Sequence, residues 1–351
     1  MTVPHNIYIH VPFCMSKCNY CAFFSRACAN PDWRAYTDGI LSEIDYWADQ
    51  LGKITVPTVF FGGGTPSLMP TDNFAEIMAR IRARLSPTND AEITIESNPG
   101  TLDATRLDEF IAAGVNRLSI GVQSLTDDEL KFLGRKHTVA DALRLIDDAI
   151  SRNIRVSADF IYGLPGHTVK SVEKLCRDIN KIGLHHCSMY ELTIEPNTPF
   201  GKMNLNMPTN AEMADMYNII GETLNLPRYE VSNYATPGQE CRHNQNVWDG
   251  NAYIGIGTGA AGRVFWNGVW YEQLGEGIRF EPMASVARAT EKIITGLRTT
   301  RGLLLAPDIK NALNIEYAKQ NPDLVEIADG RIRTTKKGML ILDDLLLNLV
   351  K

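Results

Sequence analysis

Basic residues are in deficit in this chain: 35 lysines and arginines stand against 41 aspartates and glutamates in 351 residues, a net charge of −6. A nucleic-acid-binding protein normally carries a basic domain, so no nucleic-acid partner is expected. Cysteine is scarce, seven in all, and Cys14, Cys18 and Cys21 crowd into one short stretch. An odd and uneven set is not a secreted disulfide framework, and a reducing cytoplasm suits it better. Long apolar runs are missing too. The most apolar stretch, "GMLILDDLLLNLV", is broken by Asp343 and Asp344 and falls short of the ~18 residues that cross a bilayer. The opening "MTVPHNIYIH" has no basic segment followed by a long apolar one, so no signal peptide is expected. A cytoplasmic, soluble protein follows, with peripheral membrane contact and homodimerisation left open. Hydrophobic residues at 44% and charged residues at 22% are ordinary for a globular chain with a substantial core.

What is present is a repeating pattern. Short β-branched or aromatic runs alternate with stretches at helical spacing up to about residue 200, as successive βα units do. The strands read as "NIYIHV" (6–11), "TVFFGG" (58–63), "EITIES" (92–97), "RLSIGV" (117–122), "VSADFIY" (156–162) and "CSMYELTI" (187–194). In the first helical stretch Trp33, Tyr36, Ile40, Ile44, Trp47 and Leu51 recur every three or four residues and share a face. "FGGGTPS", "ESNPG", "GVQSL", "DFIYGLPG" and "TIEPNTP" each begin at the carboxyl end of a strand. In a βα barrel those ends converge on one site, although period alone does not separate a partial barrel from an open sheet.

Beyond residue 200 the pattern changes. A helix over 210–225 leads to a strand "RYEVSNYA" (228–235), then to a glycine- and tryptophan-rich segment over 241–271. Two helical stretches follow, and "DGRIRTTKKGMLILDDLLLNLV" reads as a turn, a short strand and a final helix, like the end of a winged helix. The expected division is 1–200 for the barrel, 201–280 for an extension that caps it and 281–351 for a C-terminal α+β domain, with a linker near 275–283.

"HVPFCMSKCNYCAFF" carries the most specific chemistry. Structural zinc wants four ligands; three are here, and Cys28, or Cys241 with His243, would have to complete the set. A four-iron cluster usually takes four thiolates, so three leave one iron open. A C-x₃-C-x₂-C loop directly after a first strand, flanked by Phe13, Tyr20, Phe23 and Phe24, fits such an open cluster, since apolar rings limit solvent access.

That loop resembles the cluster loop of the radical S-adenosylmethionine (SAM) superfamily, in the branch that holds oxygen-independent coproporphyrinogen III oxidase and heme chaperones of the HemW type. The likeness continues in order through "FFGGGTPSLM", "ESNPGT", "VNRLSIGVQSL", "LGRKHT", "DFIYGLPGHT", "YELTIEPNTPF", "YEVSNYA", "ECRHNQNVW", "YIGIGTGAAGR" and "ITGLRTTRGL". It implies a partial (β/α)₆ barrel with a [4Fe–4S] cluster on Cys14, Cys18 and Cys21. SAM would chelate the open iron and, on reduction, be cleaved to a 5′-deoxyadenosyl radical. It further implies SAM contacts from Tyr8, Tyr20, Gly63, Gly64, Thr65, Glu96, Gln123, Arg135 and Asp159. The residue types agree: glycines allow close backbone approach, Arg135 offers a guanidinium fork to a carboxylate, and Asp159 in an apolar strand needs a donor.

Within the branch, the oxidase pattern has a fourth cysteine two positions after the third and a long extension ahead of the first strand. Here Phe23 stands at that position and the first strand begins within a few residues of Met1. The chaperone pattern carries "HNxxYW", linked to heme; this chain has "HNQNVW", His243 to Trp248, with Val247 where tyrosine is expected. His243 is thus the expected heme residue, with a packed structural histidine as the alternative. The resemblance implies a heme chaperone that delivers heme to apoproteins, those of the respiratory chain among them. Porphyrinogen oxidation is the runner-up, and a radical methyltransferase or cyclopropanase a third reading, since fold does not dictate function. No electron donor is indicated.

Overall fold

Six parallel strands form the centre of the fold, and each is followed by a helix that returns the chain to the starting edge. In chain order these units are β1 (His5–Val11) with α1 (Trp33–Leu51), β4 (Thr55–Gly63) with α2 (Thr71–Arg84), and β5 (Ser86–Ser97) with α3 (Ala104–Ala113). Then come β6 (Arg117–Gln123) with α4 (Asp127–Phe132) and α5 (Val139–Ser151), β7 (Arg155–Tyr162) with α6 (Val169–Ile182), and β8 (His186–Glu191) with α7 (Asn210–Thr223). Two short strands, β2 (Phe13–Cys14) and β3 (Arg26–Ala27), pair with each other in the loop after β1. This computed structural model describes residues 3–275 and 279–351.

The six strands lie side by side in sequence order and are parallel throughout, as the partial barrel expected from the sequence requires. The sheet extends beyond them on both sides. β9 (Asn233–Ala235) pairs antiparallel with β8, and β10 (Ala252–Ile256) pairs parallel with β1. β11 (Gly262–Trp266), β12 (Val269–Leu274) and β13 (Arg279–Pro282) continue from β10 as an antiparallel meander, making eleven strands. The glycine-rich segment therefore builds strands as well as α8 (Arg242–Trp248). Of the expected linker at 275–283, residues 276–278 lie outside the described residues, while Arg279–Pro282 is the edge strand of this sheet, paired with Tyr271 to Leu274.

"RYEVSNYA" is a strand over only its last part. The carboxylate of Glu230, wholly buried, accepts from the Ser232 amide at 2.7 Å and from Asn233 Nδ2 at 2.6 Å. Those bonds curl the backbone, and the Tyr229 amide bonds the Asn233 carbonyl at 3.1 Å instead of extending a ladder. The expected strand over 187–194 likewise ends at Glu191.

Local signals account for the helices. Asp32 caps α1 by accepting from the Ala35 amide, and Ile40, Ile44 and Trp47 on the expected face are buried, with Trp33, Tyr36 and Leu51 packed at its margin. Thr138 with Asp141, Thr168 with Ser171 and Thr209 with Glu212 form reciprocal caps on α5, α6 and α7. One core runs from Ile7 to Val264 between the sheet and its helices. A second core, from Ala289 to Leu349, belongs to the C-terminal part: α9 (Ser285–Gly296), β14 (Leu303–Leu304), α10 (Pro307–Ala312), α11 (Ile315–Gln320), β15 (Val325–Ala328), β16 (Arg331–Thr334), α12 (Lys336–Leu340) and α13 (Leu342–Leu349). Helix, strand, two helices and a hairpin is the order of a winged helix, and β14, β16 and β15 form its small sheet. The expected final helix is two, broken at Ile341. No described helix is long and apolar enough to cross a membrane.

Phe74 is fully buried between Phe61 at 4.6 Å and Phe110 at 5.1 Å between ring centroids. Phe74→Ala is expected to cost about 3–5 kcal/mol and Thr138→Ala at the exposed cap only about 1 kcal/mol, read from urea unfolding midpoints.

Candidate functional site

The loop after β1 is held as a closed unit. The Arg26 amide bonds the Pro12 carbonyl at 2.8 Å, the Cys28 amide bonds the Cys14 carbonyl at 2.9 Å, and Lys17 Nζ reaches the carbonyls of Phe23 and Ser25, each at 3.1 Å. Cys14, Cys18 and Cys21 are free and half-buried on this loop, and burial pushes the Cys21 thiol up. Cys28 instead packs against the main core. Among the described residues no set of three or more His, Cys, Asp or Glu side chains forms the cage of a single ion. A four-iron cluster binds each thiolate on a different iron, so three cysteines that form no single-ion cage are compatible with it.

The strand ends close around the loop. Arg135 Nη1 lies 3.3 Å from Cys18 Sγ, while its Nη2 donates to Asn98 Oδ1 and, at 2.7 Å, to the Gly121 carbonyl. Asn98 Nδ2 donates to Thr65 Oγ1 at 2.9 Å, and the Thr65 amide bonds the Phe13 carbonyl at 2.8 Å. The loops after β1, β4, β5 and α4 are thereby tied together. Gly64 is needed here because a Cβ would sit 2.5 Å from the Phe13 carbonyl oxygen and 3.0 Å from Cys14 Sγ. Gly63 has φ +115, and a Cβ there would meet the His10 ring at 2.6 Å. Gln123 closes β6 in the left-handed region at φ 70 and is buried. Tyr20 packs beside Leu133, Ile161, Leu192 and Phe200, and burial raises its hydroxyl pKa.

Below this rim the barrel encloses a cavity of about 510 Å³. Tyr8, Gly63, Glu96, Asp159 and His243, all sequence candidates, line it together. Glu96 Oε2 accepts from the Gly63 amide at 3.0 Å; burial first and then the Asp159 charge push its carboxyl up to about 8, so it holds its proton at neutral pH. Asp159 Oδ2 accepts from Ser119 at 3.2 Å, and burial raises its pKa too. Tyr8 shares a 3.0 Å hydrogen bond with His10 Nδ1, and His10 Nε2 meets the Phe24 carbonyl at 2.7 Å. Phe23 and Phe24, 70% and 59% exposed, stand at the mouth.

His243 is at the opposite end from the cysteine loop. It is buried on α8, which covers the amino ends of the strands: its amide bonds Glu92 at 2.9 Å, and its neighbour Asn246 bonds Asn6 at 2.9 Å. Its Nδ1 lies 2.7 Å from Thr58 Oγ1. That hydroxyl spends its one proton on Asn6 Oδ1, so Nδ1 of His243 carries the hydrogen and Nε2 the lone pair. Sequence reading overlooked His10, Asn98, Arg117, Ser119, Ser157 and His186. Asn98 was visible within "ESNPG", and the others follow from the inward-facing alternation of their strands.

Burial lowers the pKa of His243 to about 4, with the Glu92 charge opposing the shift. An unfolded histidine titrates near 6.5. The stabilisation is therefore complete above pH ~6.5 and is lost as pH falls from there through about 4. His243→Gln is expected to remove roughly 2 kcal/mol of the stability loss between pH 7.5 and pH 5, measured by urea unfolding at both pH values.

Residues 8–179 match the model of the Radical SAM superfamily. The chain is 32% identical over an alignment of length 375 to the heme chaperone HemW of Buchnera aphidicola subsp. Schizaphis graminum, covering 98% of this chain and 97% of that one. It is 39% identical over 266 residues to the heme chaperone HemW of Escherichia coli, covering 74% and 70%. Among solved structures, coproporphyrinogen III oxidase (HemN) from Escherichia coli, described as a radical SAM enzyme, superposes with a TM-score of 0.82 at 20% identity over 98% of this chain and 89% of that one, a likeness of fold. The Radical SAM superfamily implies a [4Fe–4S] cluster and SAM, and 32% identity over nearly the whole length of both chains shows that this chain belongs to the HemW family of radical SAM proteins.

Proposed function

We propose that this protein binds heme and passes it to apoproteins, using the radical SAM barrel as its scaffold. The near full-length likeness to proteins described as heme chaperones carries the reading. Phe23, at the place where the oxidase pattern has a fourth cysteine, supports it. In this reading Cys14, Cys18 and Cys21 hold a [4Fe–4S] cluster. Tyr8, Tyr20, Gly63, Gly64, Thr65, Glu96, Gln123, Arg135 and Asp159 hold SAM around it. The cluster would supply an iron free of thiolate for the methionyl group and a source of one electron.

The chain's own residues have distinct tasks. The Arg135 guanidinium reaches Cys18 Sγ at 3.3 Å and is held against the loop by its bond to Asn98. Glu96 and Asp159 offer carboxyl groups to the polar groups of a nucleoside. Phe23 and Phe24 present aromatic faces at the mouth of the cavity, beside the loop. His243 presents an unprotonated Nε2 in the cavity and is the candidate heme ligand. The receiving proteins, in the respiratory chain or elsewhere, would take heme from the same site. The residues of 201–280 would cap the barrel, and those of 281–351 would form a domain of their own.

Anaerobic reconstitution is expected to give about four irons per chain, and Cys18→Ala to lose the whole cluster; bound zinc would refute the cluster assignment. Heme titration should give a saturable, stoichiometric Soret shift, weakened in His243→Ala with iron content unchanged. Incubation with coproporphyrinogen III, SAM and reductant should leave the porphyrinogen unchanged; turnover to protoporphyrinogen IX would favour the oxidase reading instead.

A further inference from the structure

The barrel interior holds a cation that none of the tasks above uses. Strand register places Tyr8, Phe60, Thr94 and Arg117 at one level, on β1, β4, β5 and β6. Arg117 is 2% exposed and lines the cavity. A guanidinium has five N–H donors, yet among the described residues this one makes no side-chain hydrogen bond. The neighbouring carboxylates of Glu92 and Asp159 balance its charge, but they take their hydrogen bonds from other donors. Glu92 accepts from Arg155 Nη1 at 2.7 Å and the Arg242 amide at 3.1 Å on Oε2, and from the His243 amide at 2.9 Å on Oε1. Asp159 accepts from Ser119 at 3.2 Å and Ser157 at 3.4 Å. A buried charge without hydrogen bonds is costly and is normally found where a partner arrives.

Arg117 stands well below Arg135, at the amino end of β6. Arg135 bonds the carbonyl of Gly121, four residues further along β6, which is ~13 Å of strand. The other cation at this level, Arg155, is spent on Glu92, Gln239 and the Glu240 carbonyl. A single planar fork without a hydrogen-bond partner suits a monoanionic carboxylate, whereas a phosphate dianion would call for more positive charge. The surrounding wall is aromatic, with Phe60, Tyr190 and Trp248, and such faces take up a flat conjugated ring.

We infer that the lower half of the barrel is a second ligand site, in which Arg117 binds a carboxylate of the ligand beneath Arg135 and the cysteine loop. Resting on the heme reading above, the ligand is the tetrapyrrole and the carboxylate is one of its propionates. The ring edge lies along the aromatic wall, and the acid group enters the polar base of the cavity.

The test titrates the anaerobically reconstituted protein with hemin, with hemin dimethyl ester, which lacks the acids, and with SAM. The wild type should bind hemin at least ~10-fold more tightly than the ester. Arg117→Met should bring that ratio to within ~2-fold of unity by losing hemin affinity, with iron content and SAM affinity unchanged; Arg117→Lys should give an intermediate ratio. A wild-type ratio near one overturns the Arg117 assignment whatever the variants do, while tight hemin binding would leave the heme reading standing. A ratio retained in Arg117→Met, or a loss of SAM affinity in its place, overturns the assignment as well. No saturable hemin binding by the wild type would remove the heme reading and this inference together.

Discussion

The carboxylate of Glu92 closes the barrel. It is almost wholly buried, and it takes the Arg155 guanidinium on one side and the first amides of α8, from Arg242 and His243, on the other. Burial alone would raise its pKa, but the charges of Arg117 and Arg155 and the backbone donors hold it below the ordinary value, so it stays ionised. One buried anion thus fastens a helix from residue 242 onward across strands laid down 150 residues earlier in the sequence. Without it Arg155 would be a half-buried cation with fewer partners, and α8 would lose the acceptor for its leading amides. The position of His243, the floor of the cavity and the surroundings of Arg117 all depend on that contact.

At the other end of the barrel the constraint is a chain of polar contacts rather than a single charge. Cys18, Arg135, Asn98, Thr65 and the Phe13 carbonyl form a continuous path across four loops. Two glycines make this possible, because side chains at Gly63 and Gly64 would occupy the space of His10 and of the cysteine loop. Between the two ends the interior is polar and ionisable where a closed barrel of this kind is usually filled by aliphatic layers. The apolar residues of the same strands face outward instead, against the helices. The fold therefore stores its stability in the layer between sheet and helices and leaves the interior available for ligands.

Much of this was legible in the order of residues. The spacing of Cys14, Cys18 and Cys21, the glycines after β4 and the alternating strands all reported on local structure, which follows from residues near in sequence. The strands of the second half escaped notice for the same reason in reverse. "AYIGI", "GRVFW" and "VWYEQL" are short and joined by glycine-containing turns, and their identity as strands rests on pairing with β1 and with one another. "RYEVSNYA" misled because its pattern suits a strand while the Glu230 side chain bonds the backbone just after it.

The chain's sequence by itself determined the six βα units, the three-cysteine loop at the end of the first of them and the helix caps, because each depends on contacts within a few residues. It also determined the family, through motifs spread in order along the chain. Tertiary structure alone decided which groups share a space. His243 and Cys18 lie at opposite ends of one barrel, Arg155 rather than Arg117 has the hydrogen bond to Glu92, and Thr58 directs the His243 lone pair to Nε2. Those outcomes depend on strand register and on where α8 lands, and both are set by packing between residues far apart in the chain.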